Sequence, residues 1–460
     1  MTEELVRESR VDRTHTHIKT PSVFDLVGKP DSDIALGSRK DAFEFDVAIV
    51  GLGYVGLPTS LAFAAAGVRV LGIDVSQERL DVIQSLRADL VDSDRERLAA
   101  ALEDEGYELT SDASQLRRAA AVIVCVPTPV DEYLVPDLKI LRSACRTVVE
   151  NAVRGQLLVL TSTTYVGTTR DLLAAPLEER GLIPGIDVNV AFSPERINPG
   201  TDSFAHEDVP RVVGGITAGC AEAAASLIRT YTRLVHMVSS ADAAEMTKLV
   251  ENSFRAVNIA LANEFADISH ALELDVMEVI DAANTKPYGF MKFTPGPGVG
   301  GHCIPCDPHY LLWQMKKQRR SAPVLEQSMN AISARPGRVV DRIRNVLSDH
   351  NVSLQSARVL VVGVAYKPDV EDLRESPALE IIDELAEAGT TVGYHDALFP
   401  SLRLRSGHEL EHVADPAAFE ADLVVWHTPH TGVDLDWAGP DQLVLDTTFR
   451  LANSKNIYHL

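Results

Sequence analysis

A glycine-rich segment in the second half of the chain carries the residues with the clearest capacity for chemistry. Residues 296–308 read Gly-Pro-Gly-Val-Gly-Gly-His-Cys-Ile-Pro-Cys-Asp-Pro, and the glycines before Cys303 leave its sulfur approachable. Because a cysteine thiolate can attack a carbonyl carbon, we predict that Cys303 is a nucleophile. Asp307 follows it closely and could accept a proton or orient a water molecule.

The pair Cys303-Ile-Pro-Cys306 has two other interpretations. A zinc site needs more ligands than one such pair provides, and the sequence offers no second C-x-x-C or suitable His/Cys set, so we predict no metal. A disulfide switch is the stronger alternative.

Lys248 and Asn252 are four residues apart and therefore share one face of a predicted helix. The lysine could hold an oxyanion while the asparagine amide donates beside it. Such a pair is more often part of an exposed helix surface. A functional role is favoured because this stretch leads into the cysteine loop.

A dinucleotide fingerprint lies near the start of the predicted fold. Residues 51–56 read Gly-Leu-Gly-Tyr-Val-Gly, directly after a predicted strand and before an apolar helix. The glycines allow a tight turn, a close approach of backbone N–H groups to a pyrophosphate, and close helix packing. Asp74 ends the next predicted strand, where its carboxylate can bind ribose hydroxyls and repel a 2′-phosphate. We predict NAD rather than NADP as the cofactor, with a structural glycine turn as the alternative.

The elements that position these residues follow an alternating pattern. Apolar, β-branched runs alternate with amphipathic stretches, which predicts a doubly wound parallel sheet with strands near 46–50, 68–73, 121–126, 156–160 and 188–192. A second alternating region begins near Arg335, and its runs at 359–363, 391–396, 421–428 and 443–448 repeat the first region's landmarks in order. We therefore predict an α/β fold of two Rossmann-like doubly wound domains.

A long helical stretch joins the two regions. Residues 241–286 contain no glycine or proline, which predicts one long helix or a closely joined pair. Its apolar residues fall largely on one face: Met246, Leu249, Val250, Val257, Leu261, Phe265 and Ile268. We predict a homodimer or higher even oligomer built on residues 216–330. The predicted divisions of the chain are a flexible extension at 1–44, a NAD-binding domain at 45–215, a central helical domain with the cysteine loop at 216–330, and a second Rossmann-like domain at 331–460.

In the second α/β region, only Gly363 remains of a fingerprint, and cations follow it at Lys367 and Arg374. A second NAD is therefore not expected. These side chains could bind a diphosphate, with Arg450 as a further candidate, and a solvated charged loop is the alternative.

Composition narrows the class of protein. The 460 residues carry 43 Lys plus Arg against 66 Asp plus Glu, a net charge of −23, which opposes nucleic-acid or anionic-membrane binding as a main role. Five cysteines and the lack of an apolar leader or span favour a cytoplasmic protein.

With those residues assembled, the chain resembles the UDP-glucose/GDP-mannose dehydrogenase family from about residue 45 to 455. The resemblance rests on ordered segments, namely Gly51-Leu-Gly-Tyr-Val-Gly-Leu-Pro58, Thr161-Ser-Thr-Thr164, Ser193-Pro-Glu-Arg-Ile-Asn-Pro-Gly200, Lys248-Leu-Val-Glu-Asn252, Gly300-Gly-His-Cys303 with Asp307, and Lys367 with Arg374. It implies oxidation of a sugar C6 alcohol to a carboxylate with two NAD, and it implies that the Rossmann-like domain at 331–460 binds the UDP-sugar. Cys303 would capture the intermediate aldehyde and later form a thioester.

The resemblance also implies roles for individual residues. Lys248 and Asn252 would stabilise the oxyanion, Asp307 would assist proton transfer, and Thr163 with Glu195 would position the hydrolytic water. We predict cofactor contacts from Gly51, Gly53, Tyr54, Val55, Gly56, Asp74, Arg79, Pro127, Thr128 and Thr163. Predicted substrate contacts come from Glu195, Arg196, Lys248, Asn252, Phe290, Gly300, Lys367, Arg374 and Arg450.

Two departures from the family pattern concern the substrate. Glucose-acting members commonly carry an acid where this chain has Pro199, and many have a lysine where it has Cys306. The segments 193–200, 286–291 and 300–305 look more like the branch acting on UDP-N-acetylhexosamines. We favour UDP-N-acetylglucosamine, followed by UDP-N-acetylmannosamine and UDP-glucose.

Two rival classes stay open. A two-electron hydroxyacid dehydrogenase would not need Cys303 and would release one NADH per substrate. A NAD-binding regulator that uses Cys303 and Cys306 as a redox sensor would bind NAD without turnover.

Overall fold

The computed structural model describes residues 42–196, 206–301, 303–452 and 454–460. The predicted extension at 1–44 falls almost wholly outside the described residues, and so do His302 and residues 197–200 of the Ser193–Gly200 segment.

The first half of the chain builds an eight-stranded sheet in the order β3-β2-β1-β4-β5-β6-β7-β8. Its strands are β1 (Phe45–Val50), β2 (Val70–Ile73), β3 (Tyr107–Thr110), β4 (Ala119–Val124), β5 (Leu157–Leu160), β6 (Asn189–Phe192), β7 (Arg211–Gly215) and β8 (Val235–Met237). Neighbouring strands are parallel except for β6 and β7. The sheet is apolar on both faces because helices pack on each side, namely α1 (Gly56–Ala65), α2 (Gln77–Gln84), α3 (Asp92–Leu102), α4 (Lys139–Asn151), α5 (Ala175–Glu179) and α6 (Ala218–Ile228).

The glycine-free and proline-free stretch forms a joined pair of helices, α7 (Ala241–Ala271) and α8 (Val276–Asn284). The break occurs where Glu273 adopts a left-handed conformation with φ of 56°. Asp275 then caps α8 by accepting from the backbone N–H groups of Met277 and Glu278 at 2.8 and 3.2 Å. Two further helices, α9 (Asp307–Lys317) and α10 (Pro323–Ser333), pack on α7.

The last part of the chain begins with α11 (Arg335–Asp349) and builds a five-stranded parallel sheet in the order β10-β9-β13-β14-β15. Its strands are β9 (Arg358–Val362), β10 (Thr391–His395), β13 (Leu423–Trp426), β14 (Leu443–Asp446) and β15 (Ile457–His459), with α12 (Pro377–Glu387) packed against it. A small antiparallel ribbon, β11 (Ser401–Arg403) and β12 (Glu409–Glu411), lies beside β10.

The predicted fold is confirmed. Strands β10-β9-β13-β14 stand in the same relative order as β2-β1-β4-β5, so the repeat seen in the sequence is a repeat in space. The domain boundaries stay a prediction, and β8 carries the first sheet beyond residue 215 into the stretch assigned to the central domain. Among the described residues, no helix has both the length and the apolar character that crossing a membrane requires.

Candidate active site

The fingerprint turn between β1 and α1 requires glycine at residues 51 and 56. Gly51 has φ of 90°, and a Cβ there would lie 2.7 Å from the carbonyl oxygen of Cys125. A Cβ on Gly56 would lie 1.8 Å from the carbonyl oxygen of Gly51. The turn therefore brings α1 against the strand end, while Gly53 faces open space. This is the cradle that a pyrophosphate requires, and it fits NAD.

Asp74 lies against this turn. Its Oδ2 accepts from the Leu52 N–H at 2.8 Å and its Oδ1 from the Ser76 N–H at 2.9 Å. Arg79 also contacts the turn, because its Nε donates to the Leu52 carbonyl at 2.9 Å. The predicted Pro127 and Thr128 follow β4, and Thr163 follows β5, so all these residues gather at the carboxyl edge where the strand order reverses.

Asp74→Ala should weaken NAD binding about ten- to a hundredfold and narrow the preference for NAD over NADP. The variant loses a charge-assisted bond to the ribose and a repulsion of a 2′-phosphate, and it leaves the Leu52 N–H without its acceptor. Titration of both cofactors into the variant measures this, with the exposed Asp81→Ala as the control. Equal use of NADP by the native protein would show that the interpretation of Asp74 is wrong.

The second α/β domain repeats this arrangement, but there a histidine side chain bonds the aspartate at the end of the second strand. Asp396, at the end of β10, accepts from the Val364 N–H at 2.8 Å, as Asp74 does from Leu52. His430 Nε2 lies 2.9 Å from the same Asp396 oxygen. Because the Asp369 N–H donates to His430 Nδ1 at 2.8 Å, Nε2 carries the proton and donates to Asp396. A protein donor thus takes the place of a ribose hydroxyl, which supports a single NAD site in the first domain.

The four predicted residues around the cysteine lie together. Lys248 and Asn252 point inward from α7 and are 8% and 4% exposed, so they are not part of an exposed helix surface. The Asn252 amide donates to the carboxylate of Asp307, the first residue of α9. Lys248 Nζ donates to the Glu195 carbonyl oxygen at 2.7 Å. Cys303 is exposed on the loop directly before α9.

Burial dominates the electrostatics of this cluster. It raises the pKa of Asp307 to about 6, against the opposing effects of Lys248 and Asn252. Desolvation and the Asp307 carboxylate raise the pKa of the Cys303 thiol, while Lys248, Arg255 and Arg374 act in the opposite direction. Cys303 is therefore a thiol at neutral pH, and the Asp307 carboxylate, whose charge acts on that thiol, is largely ionised there.

Glu195 has a partner that the sequence analysis missed. Arg211 is 2% exposed at the start of β7, and its guanidinium donates to Glu195 Oε1 at 2.5 Å. The neighbouring Arg196 forms an ion pair with Glu251 at 2.7 Å and donates to the Pro210 carbonyl at 2.6 Å. Arg211 is a charged residue at the start of an otherwise apolar strand, and this could have marked it in the sequence. The sequence does not reveal that its partner is Glu195.

Four more of the predicted substrate residues form two pairs, Lys367 with Arg374 and Phe290 with Arg450. Arg374 binds Asp372 at 2.5 Å, and its guanidinium lies 5.7 Å from the ring centre of Tyr54 in the fingerprint. Burial, with Arg255, lowers the pKa of Lys367. Arg374 and the same Arg255 also act to lower the pKa of the Cys303 thiol. Arg374 and Lys367 therefore both lie near the cysteine loop. Phe290 and Arg450 are exposed, the latter just beyond β14.

Tyr366 connects the two domains and was also missed. It is hydrogen-bonded to Tyr54 in the fingerprint and packs on the cysteine loop, where a Cβ on Gly300 would lie 2.5 Å from the Tyr366 Cβ. The glycines of the loop therefore allow close contact with the second domain, in addition to access to Cys303. The Gly301 N–H also donates to the Arg374 carbonyl at 2.9 Å. In the described part of the chain, no cluster of three His, Cys, Asp or Glu residues could hold a metal ion.

One intact dinucleotide cradle, a degenerate copy of it and a cysteine loop between them define a NAD-dependent dehydrogenase. Three models of one family match the chain: its NAD binding domain at residues 45–234, its central domain at 242–331 and its UDP binding domain at 360–458. The chain belongs to the UDP-glucose/GDP-mannose dehydrogenase family and is a NAD-dependent nucleotide-sugar dehydrogenase.

Similar proteins carry names within this family. The chain is 36% identical over 391 residues to a UDP-N-acetyl-D-mannosamine dehydrogenase from Pyrococcus horikoshii, a match that covers 84% of this chain and 89% of the relative. It is 34% identical over 403 residues to an NDP-N-acetyl-D-galactosaminuronic acid dehydrogenase from Ralstonia solanacearum, covering 85% and 92%. A solved structure of the UDP-D-ManNAc dehydrogenase from Pyrococcus horikoshii superposes with a TM-score of 0.82 at 31% identity, covering 90% of this chain and 98% of that one.

Proposed function

We propose that this protein oxidises the C6 alcohol of a UDP-N-acetylhexosamine to the uronic acid, through a covalent adduct on Cys303. The observation that carries the proposal is the position of Cys303. It is an exposed thiol beside the buried Lys248, Asn252 and Asp307. Its loop contacts Tyr366 of the second α/β domain, the residue that bonds Tyr54 in the fingerprint.

The proposed first stage ends with capture of an aldehyde. Residues 51–56, with Asp74 at the ribose, would hold two NAD molecules one after the other, and each would accept one hydride. The C6 hydroxyl proton lost in the first oxidation would pass to solvent. Asp307 takes the thiol proton as Cys303 Sγ bonds to the aldehyde carbon. The oxyanion of the resulting thiohemiacetal accepts from the Lys248 ammonium and the Asn252 amide, each of which has protons beyond those used in its present bond.

The second stage converts the thiohemiacetal to a thioester and then hydrolyses it. Water adds to the thioester carbon, the C–S bond breaks, and the thiol of Cys303 is regenerated with a carboxylate as product. We assign the positioning of this water to Thr163 and Glu195. The Arg211 ion pair holds the Glu195 side chain in place. Because the aldehyde is captured, it need not leave the site between the two oxidations.

The substrate is assigned to one of several N-acetylhexosamines. The sequence favoured UDP-N-acetylglucosamine, but the names of the similar proteins specify N-acetylmannosamine and N-acetylgalactosaminuronic acid. We therefore place UDP-N-acetylmannosamine first. The experiment is a panel of UDP-N-acetylmannosamine, UDP-N-acetylglucosamine, UDP-N-acetylgalactosamine and UDP-glucose with NAD. The largest kcat/KM on an N-acetylhexosamine supports the proposal, and a preference for UDP-glucose contradicts it.

We assign binding of the UDP diphosphate to the second domain. Lys367 and Arg374 are the proposed cationic contacts, and they lie near the cysteine loop, as a substrate bridging the domains requires. Arg450, exposed just beyond β14, is a further candidate for the nucleotide end. Arg374 already bonds Asp372, so its role would combine diphosphate binding with holding Tyr54.

We also propose a homodimer or higher even oligomer that buries the outer face of α7. The apolar side chains predicted on one face lie outside the core except for Leu249, and Val250, Phe265 and Ile268 are 49%, 43% and 46% exposed. Light scattering should give a mass of at least twice the 50.0 kDa chain. Phe265→Glu should weaken assembly because it places a charge in the buried interface. A single 50 kDa species for the unmodified protein at micromolar concentration would refute this assignment.

A further inference from the structure

A buried carboxylate that the proposed chemistry does not use connects two parts of the site. Glu245 is 1% exposed and lies on α7, less than one turn before Lys248. Its Oε2 accepts from the Gly167 N–H at 2.6 Å, and its Oε1 accepts from the N–H and hydroxyl of Thr169 at 2.8 and 2.7 Å. Burial raises the pKa of Glu245 to about 7. Helix α7 therefore holds the turn formed by residues 165–169 at three points.

Helix α9 holds the same turn from another side. The side-chain amide of Gln314 accepts from the Val166 N–H at 3.1 Å and donates to the Val166 carbonyl at 2.8 Å. Helix α7 also carries Lys248 and Asn252, and α9 begins with Asp307. The turn at 165–169 is thus bound to both helices that supply the residues around Cys303.

Thr163 lies between this turn and the sheet. On one side, the Ser162 hydroxyl is bonded to the N–H and carbonyl of Val126 at 2.9 and 2.8 Å. On the other, the hydroxyls of Thr164 and Thr168 are 2.7 Å apart, which ties residue 164 to the turn. The position of Thr163 relative to α7 and α9 therefore depends on Glu245 and Gln314.

We propose that Glu245 and Gln314 are positioning residues for thioester hydrolysis, an inference that rests on the proposed function. They fix turn 165–169, and through it Thr163, against the helices that carry Lys248 and Asp307. Hydrolysis is the step that depends most on this placement, because a free water must be held in line with the thioester carbon. Attack by Cys303 needs no such third component.

The test uses Glu245→Gln and Gln314→Ala in rapid mixing with NAD and UDP-N-acetylmannosamine. Each variant should release a burst of two NADH per site, followed by turnover about ten- to a hundredfold slower than the native enzyme, since small displacements near reacting groups cost rates of that order. The KM for the sugar nucleotide should change little, and any rise in the KM for NAD, which Thr163 is also predicted to contact, should be smaller than the fall in turnover. Intact mass spectrometry should find a sugar adduct on the protein, and hydroxylamine, which attacks thioesters without a positioned water, should accelerate the slow phase.

The native enzyme and the exposed Glu278→Gln variant are the controls, and both should release two NADH per sugar without accumulating an adduct. Release of one NADH per sugar by the native enzyme would overturn the proposed function and the inference with it. If the native enzyme releases two NADH per sugar, the inference alone would be overturned by folded variants that show no burst and no adduct. Folded variants that lose affinity for NAD instead would overturn it as well. Gln314→Ala decides the matter by itself if Glu245→Gln does not fold.

Discussion

Cys303→Ser should lower overall turnover by several orders of magnitude while leaving NAD and UDP-sugar binding nearly intact. A serine hydroxyl has a pKa far above the ~8.5 of a thiol, so it is a poor nucleophile for the aldehyde and a poor leaving group from the acyl intermediate. The side chain is exposed and barely changes in size, so folding should not be affected. Steady-state kinetics and separate titrations of NAD and UDP-sugar measure the two expectations.

The matched control is Cys306→Ser, three residues away on the same loop. Cys306 is 2% exposed and burial raises its pKa to about 12, so it is a poor nucleophile and its substitution should be mild for turnover. Near-normal turnover by Cys303→Ser would exclude the covalent mechanism. A loss of turnover in both variants would favour a role for the cysteine pair as a unit, as in the redox-sensor alternative.

Lys248→Met should lower kcat about 10²- to 10³-fold, the usual cost of removing one donor to an oxyanion. The substitution keeps the apolar stem and removes the charge. It also removes the cation that opposes the upward pKa shifts of Asp307 and Cys303, so both groups should titrate at higher pH in the variant. The Glu195 carbonyl loses its donor as well.

The control for this variant is Lys139→Met, at a lysine that is 89% exposed on α4. It should leave kcat and the pH profile unchanged. If Lys248→Met retained kcat and raised only the KM for the sugar nucleotide, Lys248 would bind ground-state substrate rather than the oxyanion.

The fold was largely predictable because its elements carry local patterns. The strand runs of both halves and the fingerprint at residues 51–56 depend on neighbours in sequence, and the structure places β1, β2, β4 and β5 in the predicted arrangement. The four-residue spacing of Lys248 and Asn252 likewise predicted that they share a helix face. The spacing could not predict that this face is buried.

Contacts between distant segments were not predictable. Arg211 pairs with Glu195, Tyr366 bonds Tyr54, and Glu245 bonds residues 167 and 169, yet no local pattern links the members of any pair. Each depends on how the two sheets and the central helices pack. The same limit applies to Arg374, whose predicted role in diphosphate binding took no account of Asp372 and Tyr54 beside it.

The most direct test of the covalent, four-electron account is the number of NADH molecules formed per sugar. Limiting UDP-N-acetylmannosamine, or whichever UDP-N-acetylhexosamine the panel selects, is mixed with excess NAD and the native enzyme, and absorbance gives the NADH formed at completion. The account predicts two NADH and one uronic acid per sugar, with no free aldehyde trapped by an added amine. One NADH per sugar, with an aldehyde or ketone as the product, would contradict it.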